Sequence, residues 1–214
     1  MIKAVIFDKD GTLFDTEKVL IAGWKHAITK VGAIYDEELI KGNVGLSLPK
    51  VEERLYNAYK DFDLDKIKKI KEGYVKATLE ENIPLKPYCI EILEYLKNRN
   101  IKIGLATSTI ESIAIPNLEK SGLIKYFDAI VTGDMVEKGK PNPDIYLLCA
   151  KKLDVEPNMT VIVEDSKNGI IGAKAGGFIP LLIPDQVKLD DEMVQSSCYI
   201  FENLGQIRNI IQKD

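Results

Sequence analysis

Continuous rather than alternating apolar runs mark the chain at residues 2–7 (IKAVIF), 101–107 (IKIGLAT), 128–133 (DAIVTG) and 159–165 (MTVIVED). Runs of this length, rich in β-branched residues, predict strands covered on both faces, as in a parallel sheet. Residues 177–183 (GFIPLLI) predict a fifth strand that Pro180 interrupts, and residues 198–201 (CYIF) a sixth at an edge. Between these runs the apolar positions recur at the helical period, predicting helices over 88–99, 111–121, 142–152 and 167–175. From residue 88 onward, helix and strand patterns alternate. That alternation predicts an α/β fold with a doubly wound, Rossmann-like parallel sheet.

Residues 16–83 break the alternation. They hold no strand pattern, while DTEKVLIAGWKHAITKVG, SLPKVEERLYNAYKDF and LDKIKKIKEGYVKATLEEN each carry helical spacing. The predicted organisation is an α/β core of residues 1–15 and 84–214 with a small α-helical module, 16–83, inserted after the first strand. His26 lies among Leu20, Trp24, Ala27, Ile28 and Val31, which recur at helical spacing, and reads as an ordinary helix position. The basic run DKIKKIKEGYVK also carries acids and the periodic Ile67, Ile70 and Tyr74, so it reads as a solvated helix face.

Composition narrows the function classes. The chain has 214 residues, 45% hydrophobic and 29% charged, which is ordinary globular composition. A net charge of -4 offers no basic field for nucleic acid. No apolar run reaches the ~18 residues of a membrane span, and the opening apolar run meets Asp8 too soon for a signal peptide. The single histidine excludes any mechanism that needs two. Cys89, Cys149 and Cys198 have no metal-like spacing and read as reduced thiols of a cytoplasmic protein. A monomer is the default expectation.

Ligands of open parallel sheets bind at the carboxyl ends of the strands. The first predicted strand ends on Asp8 and Asp10, the second on Thr107, Ser108 and Thr109, and the fourth on Glu164 and Asp165. The loop after the third carries Lys140 in EKGKPNPD, stiffened by Pro141 and Pro143. Clustered carboxylates do not all stay ionised without a cation. Oxygen donors without histidine or cysteine point to Mg²⁺ rather than zinc. Mg²⁺, hydroxyls and a lysine together can hold a phosphoryl group. A carboxylate facing that group can attack it, and a second can exchange protons with the leaving oxygen and with water. Asp8 ends the regular strand and is the better nucleophile, which leaves Asp10 as acid and base. Gly11 allows close backbone approach beside an anion. Thr12 is placed to hydrogen-bond Asp8 or the loop backbone.

These residues form a recognisable set. FDKDGTLFD resembles the first signature of the haloacid dehalogenase superfamily, GLATST the second, KGKPNPD the third and VIVEDSKNGIIGAKAGG the fourth. All four occur in order across the core. The inserted module is similar to the small helical cap of the group that contains β-phosphoglucomutase and many sugar-phosphate phosphatases. The resemblance implies Asp8 as nucleophile and Asp10 as general acid/base. It implies Mg²⁺ held by the Asp8 carboxylate, the Asp10 main-chain carbonyl and Asp165, with Glu164 assisting directly or through water. Thr107 and Lys140 would hold phosphoryl oxygens, with Ser108 and Gly11 beside them and backbone N–H groups after Asp8 as a cradle. The cap would close over the site and read the leaving group.

The opening of the chain looks especially like β-phosphoglucomutase, yet it departs from that pattern. Thr12 replaces a valine, Leu20 a cap histidine, and Leu48, in the cap loop GNVGLSLPKVEERL, a substrate arginine. These departures favour a phosphatase of a small phosphorylated metabolite over a phosphomutase. A phospho-aspartate receiver domain would be shorter, and its acidic pair would precede the phosphorylated aspartate. Lys9 stands where the family usually has an apolar residue. Strand alternation aims its side chain away from the carboxylates, so a structural or site-entrance role is expected.

Overall fold

The computed structural model describes residues 1–43, 48–185 and 189–211. The chain divides into two compact units, Met1–Phe14 with Leu85–Asp214, and Asp15–Pro84.

The first unit is built on six parallel strands: β1 (Ala4–Phe7), β2 (Lys102–Ala106), β3 (Ala129–Val131), β4 (Thr160–Glu164), β5 (Ile179–Leu182) and β6 (Tyr199–Ile200). Their order across the sheet is β3-β2-β1-β4-β5-β6. β1 is therefore central, and the winding reverses beside it. All the carboxyl ends share one rim. The sheet and its flanking helices are the doubly wound core that the apolar runs predict. Pro180 sits inside β5 rather than breaking it. Its carbonyl accepts from Cys198 N–H on the β6 side, and β6 pairs only with Leu181 and Leu182. The missing proline N–H thus falls where the neighbouring ladder has not begun.

The second unit contains α1 (Thr16–Lys30), α2 (Glu37–Lys41), α3 (Leu48–Tyr59) and α4 (Leu64–Glu81), with no strand among its described residues. Asp36 and Asp63 cap α2 and α4 by accepting from Leu39 and Lys66 N–H. Ala27, Ile28, Ile40, Leu55, Tyr59 and Ile67 form its core. The short α2 is absent from the periodicity reading, because five residues are too few to show a period. His26 is exposed and stacks on Tyr74, ring centroids 4.9 Å apart. Residues 44–47 of the loop GNVGLSLPKVEERL, and the Leu48 side chain, lie outside the described residues.

In the first unit the remaining helices are α5 (Cys89–Asn98), α6 (Glu111–Lys120), α7 (Asp144–Leu153), α8 (Lys167–Ala175), α9 (Asp191–Ser196) and α10 (Arg208–Ile211). Strand parity sets the site. Ala4 and Ile6 of β1, Ala106 of β2 and Ile162 of β4 pack with Ile145, Tyr146 and Cys149 of α7 in one core cluster. Even-numbered β1 and β4 side chains therefore share the α7 face. Ile6 pairs with Ile162, so one step further along the same register brings Asp8 beside Glu164 on that face.

None of the described helices is long and apolar enough to cross a membrane. Cys89 and Cys149 are buried and Cys198 is exposed, and all three are free thiols. Burial pushes the Cys89 and Cys149 thiols up to about 12, so neither supplies a thiolate at neutral pH.

Candidate active site

Asp8 leaves the end of β1 with its N–H donating to Val163 O at 3.0 Å, which ties it to β4. Lys140 arrives from the loop before α7, across a cis Lys140–Pro141 peptide. Its Nζ lies 2.5 Å from Asp8 Oδ1, 2.5 Å from Glu164 Oε1 and 3.2 Å from the Ala106 carbonyl. The three side chains are almost wholly shielded from water. Four strand-end segments thus meet at one ammonium.

Glu164 is fully buried. Oε1 accepts from Lys140 and from the Tyr146 hydroxyl at 2.7 Å, while Oε2 accepts from Ser166 Oγ at 2.8 Å and Ser166 N–H at 3.3 Å. These donors occupy the lone pairs of both oxygens. A Cβ at Gly169 would run into the same carboxylate, so α8 approaches this closely only with glycine there. Ser166 also accepts from Gly169 N–H as the N-cap of α8.

Asp165 points past β4 toward the β1 loop. Thr12 Oγ1 donates to its Oδ1 at 3.4 Å. The expected partners were Asp8 or the loop backbone, and the contact goes instead to Asp165: the turn at Gly11, φ +83°, carries Thr12 across to the β4 side. A Cβ at Gly11 would also collide with the Asp165 carboxylate. Ligand oxygens of Asp8, Glu164 and Asp165 lie within 4.8 Å of one another.

The electrostatics of this cluster are short of positive charge. Burial is the main force raising the Asp8 carboxyl, against Lys140, to about 7. Burial, then the Glu164 and Asp8 charges, raise Asp165 to about 9. Glu164 is opposed by burial too, yet the Lys140, Tyr146 and Ser166 donors hold it below the usual carboxylate range. Burial also opposes the Lys140 charge, but Asp8 and Glu164 outweigh it and lift the ammonium well above its ordinary value. One ammonium satisfies Glu164 and leaves Asp8 and Asp165 disfavoured as anions. An all-oxygen pair in that condition fits a hard divalent cation such as Mg²⁺.

Thr107 follows β2 and is buried, with its Oγ1 accepting from Thr109 N–H at 3.1 Å. Ser108 is exposed, and α6 begins at Glu111, where the sequence pattern predicts it. Asp10 lies beyond the regular strand with its carboxylate 43% exposed. Its oxygens accept from Lys9 Nζ at 2.9 and 2.8 Å and from Thr109 Oγ1 at 2.8 Å. The Lys9 expectation is half corrected. Its side chain does leave Asp8, as alternation requires, but it is buried and ends on Asp10, which lies beyond the regular strand where alternation no longer holds.

Tyr146, Ser166 and the Lys9 ammonium are the groups that the strand-end reading passes over, and Thr109, at the end of the second strand, carries no role there. Tyr146 and Lys9 carry no local sign of their contacts. Ser166 was visible as an N-cap, a serine directly before a helical run.

Comparison with known proteins places the chain in a family. The family model described as haloacid dehalogenase-like hydrolase matches residues 5–180. A Thermotoga maritima protein named phosphorylated carbohydrates phosphatase is 39% identical over 180 residues, 82% of either chain. The Bacillus subtilis β-phosphoglucomutase is 33% identical over 184 residues, 82% of this chain and 80% of that one. Among solved structures, one from Thermotoga maritima superposes with a TM-score of 0.83 at 31% identity over 99% of both chains.

Proposed function

The chain belongs to the haloacid dehalogenase-like hydrolases, and from that premise we propose that it is a Mg²⁺-dependent phosphatase of a small phosphate monoester, of the sugar-phosphate kind. The observation that carries the reading is the buried Asp8–Lys140–Glu164 cluster with Asp165 at one strand-end rim.

In this reading Asp8 Oδ attacks phosphorus as the bond from phosphorus to the leaving oxygen breaks, giving an aspartyl phosphate. Asp10 gives its proton to the leaving oxygen. A water molecule then attacks phosphorus, Asp10 takes the water's proton, and the Asp8 carboxylate is released with inorganic phosphate. Lys140 offsets the charge on Asp8 and, with Thr107, holds phosphoryl oxygens. Ser108 and the backbone at Gly11 border the same group. The Asp8 and Asp165 carboxylates and the Asp10 main-chain carbonyl would hold Mg²⁺, and Glu164 orients Lys140 or assists through water. The ion would supply charge neutralisation for the phosphoryl oxygens. The inserted helical unit is proposed to act as the cap that sets leaving-group preference.

One relative is named a phosphorylated carbohydrates phosphatase and another a β-phosphoglucomutase. Leu20 and Leu48, at positions where the mutase pattern has a histidine and an arginine, favour hydrolysis. The test is phosphate release from a panel of phosphorylated metabolites, with β-glucose 1-phosphate plus bisphosphate activator among them, with Mg²⁺ and with EDTA. Phosphate release that needs Mg²⁺ and vanishes in Asp8→Asn is expected. Full turnover in EDTA or in that variant overturns the mechanism. Conversion of β-glucose 1-phosphate to its isomer without net phosphate release overturns the phosphatase assignment.

A further inference from the structure

Lys9 is a buried lysine at a solvated rim. Its side chain is 2% exposed, and its ammonium sits 5.2 Å from the Phe14 ring centroid. A lysine beside a solvated rim can extend into water, so an ammonium that stays buried is held there by its partners. Its partner is Asp10. Nζ reaches both carboxylate oxygens, and the Thr109 hydroxyl takes a second position on Oδ2. Thr109 is itself tied to Thr107, its N–H donating to Thr107 Oγ1. The contacts Lys9–Asp10–Thr109–Thr107 therefore run from the β1 turn to the loop after β2.

We propose that Lys9 is a positioning residue for Asp10. With Thr109 it holds the Asp10 carboxylate against the loop that carries Thr107, where the phosphoryl group is assigned. The inference rests on the acid and base role of Asp10 given above. A half-exposed carboxylate beyond a strand end has several rotamers open to it, and proton transfer needs one. Anchoring both oxygens selects that one. The anchor for the proton-transfer group and the anchor for the phosphoryl oxygens then share a loop, so their separation is set by covalent geometry. Lys9 exchanges no proton. The proton leaves Asp10 for the leaving oxygen as the Asp8–phosphorus bond forms, and returns to Asp10 from the attacking water.

Lys9→Met keeps the unbranched stem and removes the ammonium. Thr109→Val keeps the shape and removes the hydroxyl. The readout is kcat/KM of the Mg²⁺-loaded enzyme across the phosphate monoesters it hydrolyses, plotted against leaving-group pKa. Poor leaving groups need the Asp10 proton and good ones do not. Lys9→Met is expected to lower kcat on the poorest leaving groups by about 10–100-fold while changing the best by less than about 3-fold, with KM little altered. Lys9→Arg is expected to restore most of the loss, Thr109→Val to give a smaller loss of the same kind, and Lys9→Met to add nothing in an Asp10→Asn background.

Equal losses on all leaving groups, a rise in rate, or losses that add in the Asp10→Asn background overturn the proposal. Thermal unfolding of each variant separates these outcomes from misfolding, and Thr109→Val carries the test if Lys9→Met does not fold. If Asp10→Asn itself shows no leaving-group dependence, the acid and base reading fails and takes the Lys9 proposal with it. If Asp10→Asn shows it and Lys9→Met does not, only the Lys9 proposal is overturned.

Discussion

Removing the Lys140 ammonium by Lys140→Met tests the charge arrangement directly. Lys140 Nζ is the shared partner of Asp8 and Glu164, 2.5 Å from each, with all three side chains shielded from water. The variant leaves two buried carboxylates without it, next to Asp165. Breaking a buried pair by deleting one partner typically costs about 3–5 kcal/mol, a large share of the roughly 5–15 kcal/mol that holds a domain together. The pH dependence follows from the direction of each shift. In the wild type, Asp8 and Glu164 lift Lys140 well above its ordinary value against burial. Its contribution is therefore fully present below the unfolded lysine value, across the whole neutral range. In the variant, burial and mutual repulsion raise the folded pKa values of Asp8 and Glu164. A raised carboxylate favours the folded state at low pH and penalises it as pH climbs through the folded pKa, by up to about 1.4 kcal/mol per unit per group. The expected loss is about 3–5 kcal/mol at about pH 8, shrinking to roughly 1–2 kcal/mol at about pH 5. Urea unfolding of metal-free protein in EDTA at both pH values measures it. A loss under about 1 kcal/mol at the higher pH, or one indifferent to pH, would refute the reasoning.

Three further outcomes follow from the same contacts. Tyr146→Phe deletes a buried hydroxyl that donates 2.7 Å to Glu164 and is expected to cost about 1.5–3 kcal/mol in urea unfolding; under about 0.5 kcal/mol would deny the bond its charge-assisted character. Gly169→Ala drives a Cβ into Glu164 and is expected to destabilise by about 1–3 kcal/mol, whereas Gly73→Ala, in open space within α4, is expected to stabilise by up to about 1 kcal/mol; equal effects would contradict the packing argument. Asp8 and Asp165 have folded pKa values raised to about 7 and about 9, so metal-free protein should lose stability as pH rises through those values, and added Mg²⁺ should raise Tm more at about pH 8 than at about pH 5. An equal shift at both pH values would count against Mg²⁺ at these carboxylates.

Much of this site was legible because parallel strands end where their apolar runs end. The runs before Asp8, Thr107 and Glu164 stop at the rim, and the same register that pairs Ile6 with Ile162 sets Asp8 beside Glu164. What was not legible depends on where the chain goes after the strand. Thr12 was assigned to Asp8 or the loop backbone by proximity in sequence, but a left-handed Gly11 swings it to Asp165. Lys9 was sent away from the carboxylates by alternation, which holds for Asp8 and fails for Asp10, already beyond the strand. Tyr146 reads as one more apolar position of α7, since periodicity reports the ring and not the hydroxyl. Pro180 reads as a break because sequence does not reveal which neighbour its nitrogen faces.

The adjacent acids Glu164 and Asp165 show how one residue of register separates two kinds of chemistry. Glu164 lies on the α7 face, and every strong donor there is directed at it: the Lys140 ammonium, the Tyr146 hydroxyl and the Ser166 N-cap. Its charge is stabilised without outside help, and its oxygens are committed. Asp165 follows it out of the strand, meets a threonine hydroxyl at 3.4 Å and is raised by burial and by the Glu164 charge itself. Glu164 therefore acts on its neighbour as well as on Lys140. By staying ionised it makes Asp165 a poor anion in the absence of a cation and a strong donor in its presence. A cluster in which Glu164 and Asp165 were equally satisfied would have no such demand. The split lets the fold tolerate its own acids while leaving the outer pair, Asp8 and Asp165, as the carboxylates that the proposed Mg²⁺ would answer.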